Sequence, residues 1–589
     1  MFRVTTKGQN RLRWPVLLLS GLVATLAGCS SAHYRKSADT EVYRIIEEYD
    51  RAVFGHTNSF SIDTPYSGRD PKSVLPAELI EDRQATNRRL INVEEALRLA
   101  KTYSREYQTQ REQLYLSALS LTGTRYAFSP QFFAESTASI SGTGDTAQSG
   151  SVRSSVGVSQ LLKSGGRLSL ALGNDLVRIF TARFSGGDSP VALGNDSAIN
   201  LLSVNLTQPL LRGFGRNDPT VEALTQAERN VVYAIRSFSL YQNQFAANTV
   251  SAYFALLGQK RNVRNNYTNY LRRVETREYV EARSVDRESR SRVDEMRNSE
   301  LSAQIGYVNS VANYLNALDA FKIRLGLPIT EVLALADADL GQLEQAGLIR
   351  VDISQEAAFR MAVEKHMDLL NAIDRFEDSK RKVRVAADQL RTGLNFTGNA
   401  NWQSEEPYDY TNFDFDKLRW SAGLSLDLPV DRLRERNTYR STLISFESQL
   451  RSLVTTLDNS RDRIETGLRN LERERLNYVS RQEALRVAER RADNDQLLFR
   501  AGRLQIINLR QSQDDLIAAQ NSLTDAIVAY QNNRLSLLLD LGLLIAERDR
   551  FWLSDPLAGV LLDSQRGRPP LEMPEDKLIP PDQFLEPVL

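Results

Sequence analysis

Residues 435–500 read ERNTYRSTLISFESQLRSLVTTLDNSRDRIETGLRNLERERLNYVSRQEALRVAERRADNDQLLFR, a stretch with no proline and a single glycine. At 1.5 Å per residue such a segment makes a helix of about 100 Å, too long for the inside of a compact domain. Its apolar seam runs Leu443, Phe446, Leu450, Leu453, Leu457, Ile464, Leu471, Tyr478, Leu485, Ala488 and Ala492, in steps of three and four or full sevens. That spacing keeps one face against a partner helix and implies supercoiling. Between the seam positions Arg, Glu, Asp and Asn crowd the faces that meet water. The first half of the chain repeats the device with Ile235, Phe238, Phe245, Ala252, Leu256, Val263, Tyr270 and Val280.

Other parts of the chain also recur. Glu94, Ala96 and Ala100 match Glu356, Ala358 and Ala362 at an offset of 356 − 94 = 262. Ala303-Gln304, Tyr314 and Leu325-Gly326-Leu327 match Ala519-Gln520, Tyr530 and Leu541-Gly542-Leu543 at 519 − 303 = 216. The drop of 46 places an insertion in the first copy, in the Gly-, Ser- and Thr-dense stretch between residues 130 and 215. Each half reads helix, strands, very long helix, helix. The fold class is α+β with an internal twofold repeat: a first unit over 90–328, a linker over 329–352 and a second unit over 353–545.

The strands show period two, which separates an apolar from a polar face. Leu394, Phe396, Ala400 and Trp402 alternate with Asn395, Thr397, Asn399 and Asn401; Trp420, Ala422, Leu424, Leu426 and Leu428 alternate with Ser421, Gly423, Ser425 and Asp427. Similar runs occur at 132–141, 152–159, 168–172 and 202–207. Strands of about 9 to 11 residues, apolar outside and polar inside, suit a transmembrane barrel. A soluble sandwich would bury the same faces, and the strand pattern alone does not separate the two. The long helices favour the barrel: a cylinder of helices with charged faces is wet, and joined to strands with polar lumenal faces it gives one water-filled passage. One chain has too few strands to close a roomy barrel, so several chains share it.

Composition is consistent with this reading. Lys+Arg 74 balance Asp+Glu 74, which excludes the basic surplus of a nucleic-acid binder. A mean hydropathy of -0.38 and no apolar run of 18 residues exclude a bundle of transmembrane helices. One Cys and three His leave no metal cluster or disulfide framework, and His33, His56 and His366 stand apart from any nucleophile or acid, so neither a catalytic site nor a cofactor site is expected. Gly213-Phe214-Gly215 is a turn signal before a helix, not a dinucleotide loop. At the N-terminus Arg3, Lys7, Arg11 and Arg13 precede the apolar run WPVLLLSGLVATLAG (14–28), a signal peptide over residues 1–28. It ends Leu26-Ala27-Gly28-Cys29, which resembles the lipobox of bacterial lipoproteins. Cys29, the only cysteine, is the expected lipid attachment site, and Ser30-Ser31 favours sorting to the outer membrane. Residues 29–89 are then a lipid-anchored extension with an amphipathic helix near 38–53. Residues 546–589 form a proline-rich tail, extended or disordered from Trp552.

With the order of these elements in place, residues 90–545 resemble the outer membrane efflux protein family, the TolC-like channels. The resemblance is carried by LINVEEALRLA (90–100), LTQPLLRGFGR (206–216), LGLP (325–328), LSLDLPV (424–430), FRAGRLQIINLRQSQDDL (499–516) and the repeat itself. It implies a homotrimer whose 12-stranded transmembrane barrel, about four strands per chain, continues into a periplasmic tunnel of antiparallel coiled helices. It implies partners too: a periplasmic adaptor and an inner-membrane transporter, which together carry drugs, toxins or proteins out of the cell. Most of the mass would lie in the periplasm, below a lipid-anchored position in the outer membrane.

The helix-to-helix turns would form the periplasmic tip. Phe499 precedes Ala501-Gly502, which matches the family's turn glycine, before Arg503. The first-half stretch ARSVDRESRSRVDEM (282–296) has no glycine, and Asp286 stands near that place. Some members narrow the tip with rings of Asp; the matching positions here hold Asn508 and Gln511, which leaves that ring neutral. Arg500, Arg503 and Arg510 at one turn, and Arg287, Arg290 and Arg292 at the other, imply an entrance that attracts anions. The competing reading is a lipid-anchored periplasmic coiled-coil adaptor or structural protein. An adaptor, however, has one helical hairpin flanked by small β domains, against two hairpins separated by alternating strands here.

Overall fold

The computed structural model describes residues 31–57, 59–84, 86–143, 147–180, 197–283, 289–404, 413, 415–428 and 430–557. Cys29, Asp286 and Arg287 lie outside the described residues, as does the chain beyond residue 557. Two compact units are built from interleaved segments. One takes the described residues of Met1–Ile62 with Glu112–Ile235 and Lys380–Ile444; the other takes Asp63–Arg111, Arg236–Ser379 and the described residues of Ser445–Leu589.

In chain order the elements are α1 (Ser31–Phe54), α2 (Pro76–Asp82), β1 (Arg88–Ile91), α3 (Val93–Tyr103), α4 (Arg105–Tyr126), β2 (Gln131–Thr143), β3 (Ala147–Leu161), β4 (Arg167–Phe180) and β5 (Ser197–Pro209). The long helices α5 (Pro219–Arg283) and α6 (Arg290–Leu325) follow, then β6 (Val332–Leu335), α7 (Ala338–Ala346), α8 (Gln355–Lys365) and α9 (Met367–Asp388). The chain continues with β7 (Gly393–Gln403), β8 (Arg419–Asp427), α10 (Leu433–Arg500) and α11 (Ile506–Asp540).

The first unit is organised on one antiparallel sheet of order β2-β3-β4-β5-β7-β8. Six strands stand where the resemblance implied about four, one for each alternating run of the sequence. The two added strands, β3 and β4, come from the Gly- and Ser-rich insertion, whose small residues pair over their full length although they carry a weak hydrophobic signal. Helix α1 starts at Ser31, earlier than residue 38, and buries Val42, Ile45 and Ile46. The ring of its Tyr43 lies 5.9 Å from that of Tyr115 on α4, whose hydroxyl donates to Asp39 Oδ1 at 2.8 Å.

The second unit holds the main apolar core, from Ile91, Leu99, Tyr253, Phe254, Leu325, Leu369, Ile464 and Leu538 among others. The region read as a linker is ordered: β6 pairs in parallel with β1, Ile91 opposite Leu335, and α7 follows. Tyr253, buried, donates to Asp339 Oδ2 at 2.7 Å and so ties α5 to α7. Helices α3 and α8 are capped alike. Asn92 Oδ1 accepts from the Glu95 amide at 2.8 Å and Ser354 Oγ from the Ala357 amide at 3.3 Å.

Residues 353–391 read as one helical pattern but form two helices, because His366 turns to φ −76°, ψ 117° between α8 and α9. The glycine after α11 packs against the break. Gly542, at φ +69°, approaches so closely that a Cβ would sit 2.7 Å from the Lys365 carbonyl carbon and 2.8 Å from the His366 amide nitrogen. Gly326, at φ +79° after α6, lies in the same way against Tyr103 and Ser104, where α3 gives way to α4. Both glycines close their helices with paired bonds: Leu327 N to Lys322 O and Leu543 N to Leu538 O, each 2.9 Å. The tail is more ordered at its start than its prolines implied. Phe551, Trp552 and Leu557 are buried, and Arg534 Nη1 donates to the Trp552 carbonyl at 3.0 Å.

Candidate functional site: sheet faces and helix turns

Strand pairing converts the alternation of each strand into rows that cross the whole sheet. One row passes Phe132, Val158, Leu170, Val204, Ala400 and Trp420 in register. The adjacent row, one residue along each strand, passes Gln131, Ser159, Ser169, Asn205, Asn399 and Ser421. Since neighbouring residues of a strand point to opposite faces, the sheet has one mainly apolar face, crossed by the polar row Ser136, Ser154, Asn174 and Asn200, and one mainly hydroxyl- and amide-bearing face. The apolar face is bare: Phe132 is 81%, Val156 60%, Trp420 72% and Leu424 66% exposed. A contiguous apolar surface of this kind needs a cover of lipid or protein. Among the described residues no helix is long and apolar enough to cross a membrane.

The sheet is fixed at one end by the β3–β4 turn and the segment after β5. Gly165, at φ +85°, packs so near Gly213 that a Cβ would lie 2.5 Å from its carbonyl oxygen. The Gly215 amide donates to Ser164 O at 3.0 Å, and Ser164 Oγ donates to Gln208 Oε1 at 2.7 Å. Asp388 accepts from the Gly213 amide at 2.8 Å and from Arg391 at 3.1 Å. The glycines of LTQPLLRGFGR thus supply the left-handed backbone of a turn, with φ of +75° at Gly213 and +63° at Gly215.

The second unit holds the helix turns. Helix α10 ends in a Gly502 turn at φ +74°, closed by Gly502 N to Phe499 O and Arg503 N to Leu498 O, each 2.9 Å. Facing it, the ring of Tyr279 of α5 lies tilted against that of Phe499 at 5.8 Å and its hydroxyl donates to Arg500 O at 3.0 Å, while Arg283 donates to the Tyr279 hydroxyl at 2.6 Å. Val280, Met296 and Ile506 form a small buried cluster beneath. A cavity of about 200 Å³ joins Arg292, Phe499, Gly502 and Arg503, all expected at the tip, with Tyr279 and Arg283. Arg290, Asn508 and Gln511 do not line it; Arg290 sits exposed at the start of α6, and Asn508 and Gln511 are exposed on α11. Gln511 Nε2 donates to Asp515 Oδ1 at 2.7 Å, one turn along its own helix.

The strongest electrostatic feature here was not visible in the sequence. Arg273 of α5 is buried, with 4% of its side chain exposed, and donates to Asp514 Oδ1 at 2.6 Å and to Arg510 O at 3.1 Å. Burial pushes its guanidinium below the usual arginine range, and Asp514 works against that shift. The partners are 241 residues apart, so only the packing of α5 on α11 brings them together. Glu300 of α6, also buried, gathers Arg277 at 2.5 Å and Arg297 at 3.2 Å.

No family model matches the sequence, and no curated protein matches it. Solved structures do. The MtrE outer membrane channel of Neisseria gonorrhoeae, in its open state, superposes with a TM-score of 0.56 at 14% identity, over 76% of this chain and 88% of its own. The outer membrane protein VceC of Vibrio cholerae gives 0.55 at 14% identity, over 76% of this chain and 96% of its own. The CmeC outer membrane channel of Campylobacter jejuni gives 0.54 at 14%, over 78% and 87%. The chain therefore has the fold of the TolC-like outer membrane efflux channels.

Proposed function

We propose that this chain is the outer-membrane exit duct of a tripartite efflux or type I secretion system. In this reading it acts as a homotrimer with no catalytic role, passively conducting drugs, toxins or proteins. The observation that carries the reading is the sheet with one bare apolar face and one polar face, in a chain of this fold. Lipid covers the first face and water the second. Two further features support assembly from several copies. Among the described residues, strands β2 and β8 each end the sheet with one unpaired edge, and apolar side chains stand exposed along α10, with Ile444 50%, Leu450 43% and Val454 50% exposed.

The two glycine closures, at Gly326 and Gly542, and the paired caps at Asn92 and Ser354 support a twofold repeat as the origin of both halves. Lipid on Cys29 adds a second hold on the outer membrane, and the turn cluster with Tyr279 and Gly502 forms the periplasmic tip, where an adaptor and an inner-membrane transporter deliver cargo. With Asn508 and Gln511 uncharged and Arg292 and Arg503 at the cavity, the entrance favours anions.

Export behind a signal peptide without a lipobox tests this reading against a lipid-anchored adaptor. The unlipidated chain is expected to remain in the outer-membrane fraction and to run as an SDS-stable trimer until boiled. Release as a soluble periplasmic monomer would show that only the lipid held it there.

A further inference from the structure

We propose that all six strands of each chain are staves of the barrel wall, so that a trimer closes a barrel of 3 × 6 = 18 strands. The inference rests on the trimeric duct proposed above and extends it, because β3 and β4 would otherwise be a surface hairpin beside a wall of four staves per chain.

Three observations place β3 and β4 in the wall. They lie between β2 and β5 in the sheet order, paired over their length on both sides, from Gln131–Ser159 to Thr143–Ala147 and from Arg167–Thr207 to Val177–Ser197. Their faces match those of the other four strands: Val158 and Leu170 continue the apolar row, and Ser159 and Ser169 the polar one. A hairpin standing outside the wall would have no reason to present one lipid-compatible face in register with its neighbours. Finally, the β3–β4 turn is locked to the base of the sheet through Gly165 against Gly213 and Ser164 against Gln208. Between the two strands, Phe133 of β2 lies across Gly157 of β3, where an added Cβ would meet the ring at 2.5 Å; an aromatic over a strand glycine is a device of curved sheets.

Closure follows from strand direction. Each successive pair in the sheet is antiparallel, and with an even number of strands the two edges run in opposite senses. The β8 edge of one copy can therefore pair antiparallel with the β2 edge of the next, which leaves no edge in the membrane. Barrel diameter grows roughly linearly with strand number, so 18 staves give a lumen about 1.5 times as wide as 12, in the range where porin walls leave an aqueous channel. The duct is then suited to cargo of larger cross-section than a 12-stranded wall admits.

Cryo-electron microscopy of the full-length protein in lipid nanodiscs counts the staves directly. A threefold particle with 18 strands in the wall is expected. A threefold particle with 12 strands, and β3 and β4 outside the wall, would overturn the inference and leave the duct reading intact. A particle with no closed barrel would overturn both. Thiol labelling in whole cells gives an independent reading: Ser159→Cys is expected to react with a hydrophilic maleimide about tenfold faster than Val158→Cys, which lipid shields. Equal rates would mean that β3 stands in water on both faces, contrary to the inference.

Discussion

Replacing Leu170 with Arg is expected to abolish trimer accumulation in the outer membrane, whereas Ser169→Arg, one residue away on β4, is expected to leave it near the wild-type level. Leu170 belongs to the apolar row that passes through Ala400, near the middle of the shorter strand β7. On the lipid face near the bilayer midplane an arginine costs roughly 2–4 kcal/mol. A trimer carries the change three times, so the assembly loses on the order of 6–12 kcal/mol, comparable with the whole stability of a folded domain. Ser169 stands on the polar row beside Ser159 and Asn205, where a lumenal arginine remains hydrated and alters selectivity instead. Semi-native gels of outer-membrane fractions give the readout. Equal loss from both variants would mean that neither face meets lipid.

The second large effect is expected at Gly326. Alanine there takes on the left-handed backbone cost of about 1–2 kcal/mol. It also sets a methyl group into the carbonyl of Tyr103, which is backbone and cannot rotate away. Relief requires moving the junction between α3 and α4, and with it Leu99 and Ala100 in the main core. Loss of the folded chain at growth temperature is the expected result, read as absence of protein by immunoblot and as a lowered Tm for any that is recovered. Gly306→Ala is the control. Gly306 lies within α6 with open space around its Cα, so alanine is expected to be neutral or to stabilise by up to about 1 kcal/mol through helix propensity. Gly502→Ala falls between them: its φ of +74° is strained for alanine, but nothing lies within 4 Å of the added carbon.

The long helices were legible because a heptad seam is a strong, repeated signal. The expected helix beginning at Glu435 is observed from Leu433 to the same Arg500. Alternation likewise marked β7 and β8 and the faces they present. It could not give the composition of the sheet, because period two within a strand does not say which strand lies beside it. In β3 the alternating run 152–159 marks only part of AQSGSVRSSVGVSQL, and the Ser and Gly residues before it carry no apolar signal that would extend the strand. The break at His366 was hidden for a related reason: the residue packed against it, Gly542, lies far along the chain, and no glycine or proline stands at the break itself. At the turns the sequence pointed to Phe499, Gly502, Arg292 and Arg503, which share a cavity. The reading of Asn508 and Gln511 as a neutral ring did not register Asp514 and Asp515 immediately after them. Those carboxylates engage Arg273 and Arg491 at 2.6 and 2.9 Å, pairings that depend on helices meeting in space.

Single-channel recording of the purified wild-type trimer in planar bilayers tests the central claim most directly. Stable conductance steps are expected, with a reversal potential under a salt gradient displaced toward anions and moved back when Arg292 and Arg503 are replaced by Gln. A trimer that inserts into the bilayer and never conducts would contradict the exit duct and favour a structural role. Conductance with strong cation selectivity, unchanged by those replacements, would leave the duct standing and contradict the anion-attracting tip.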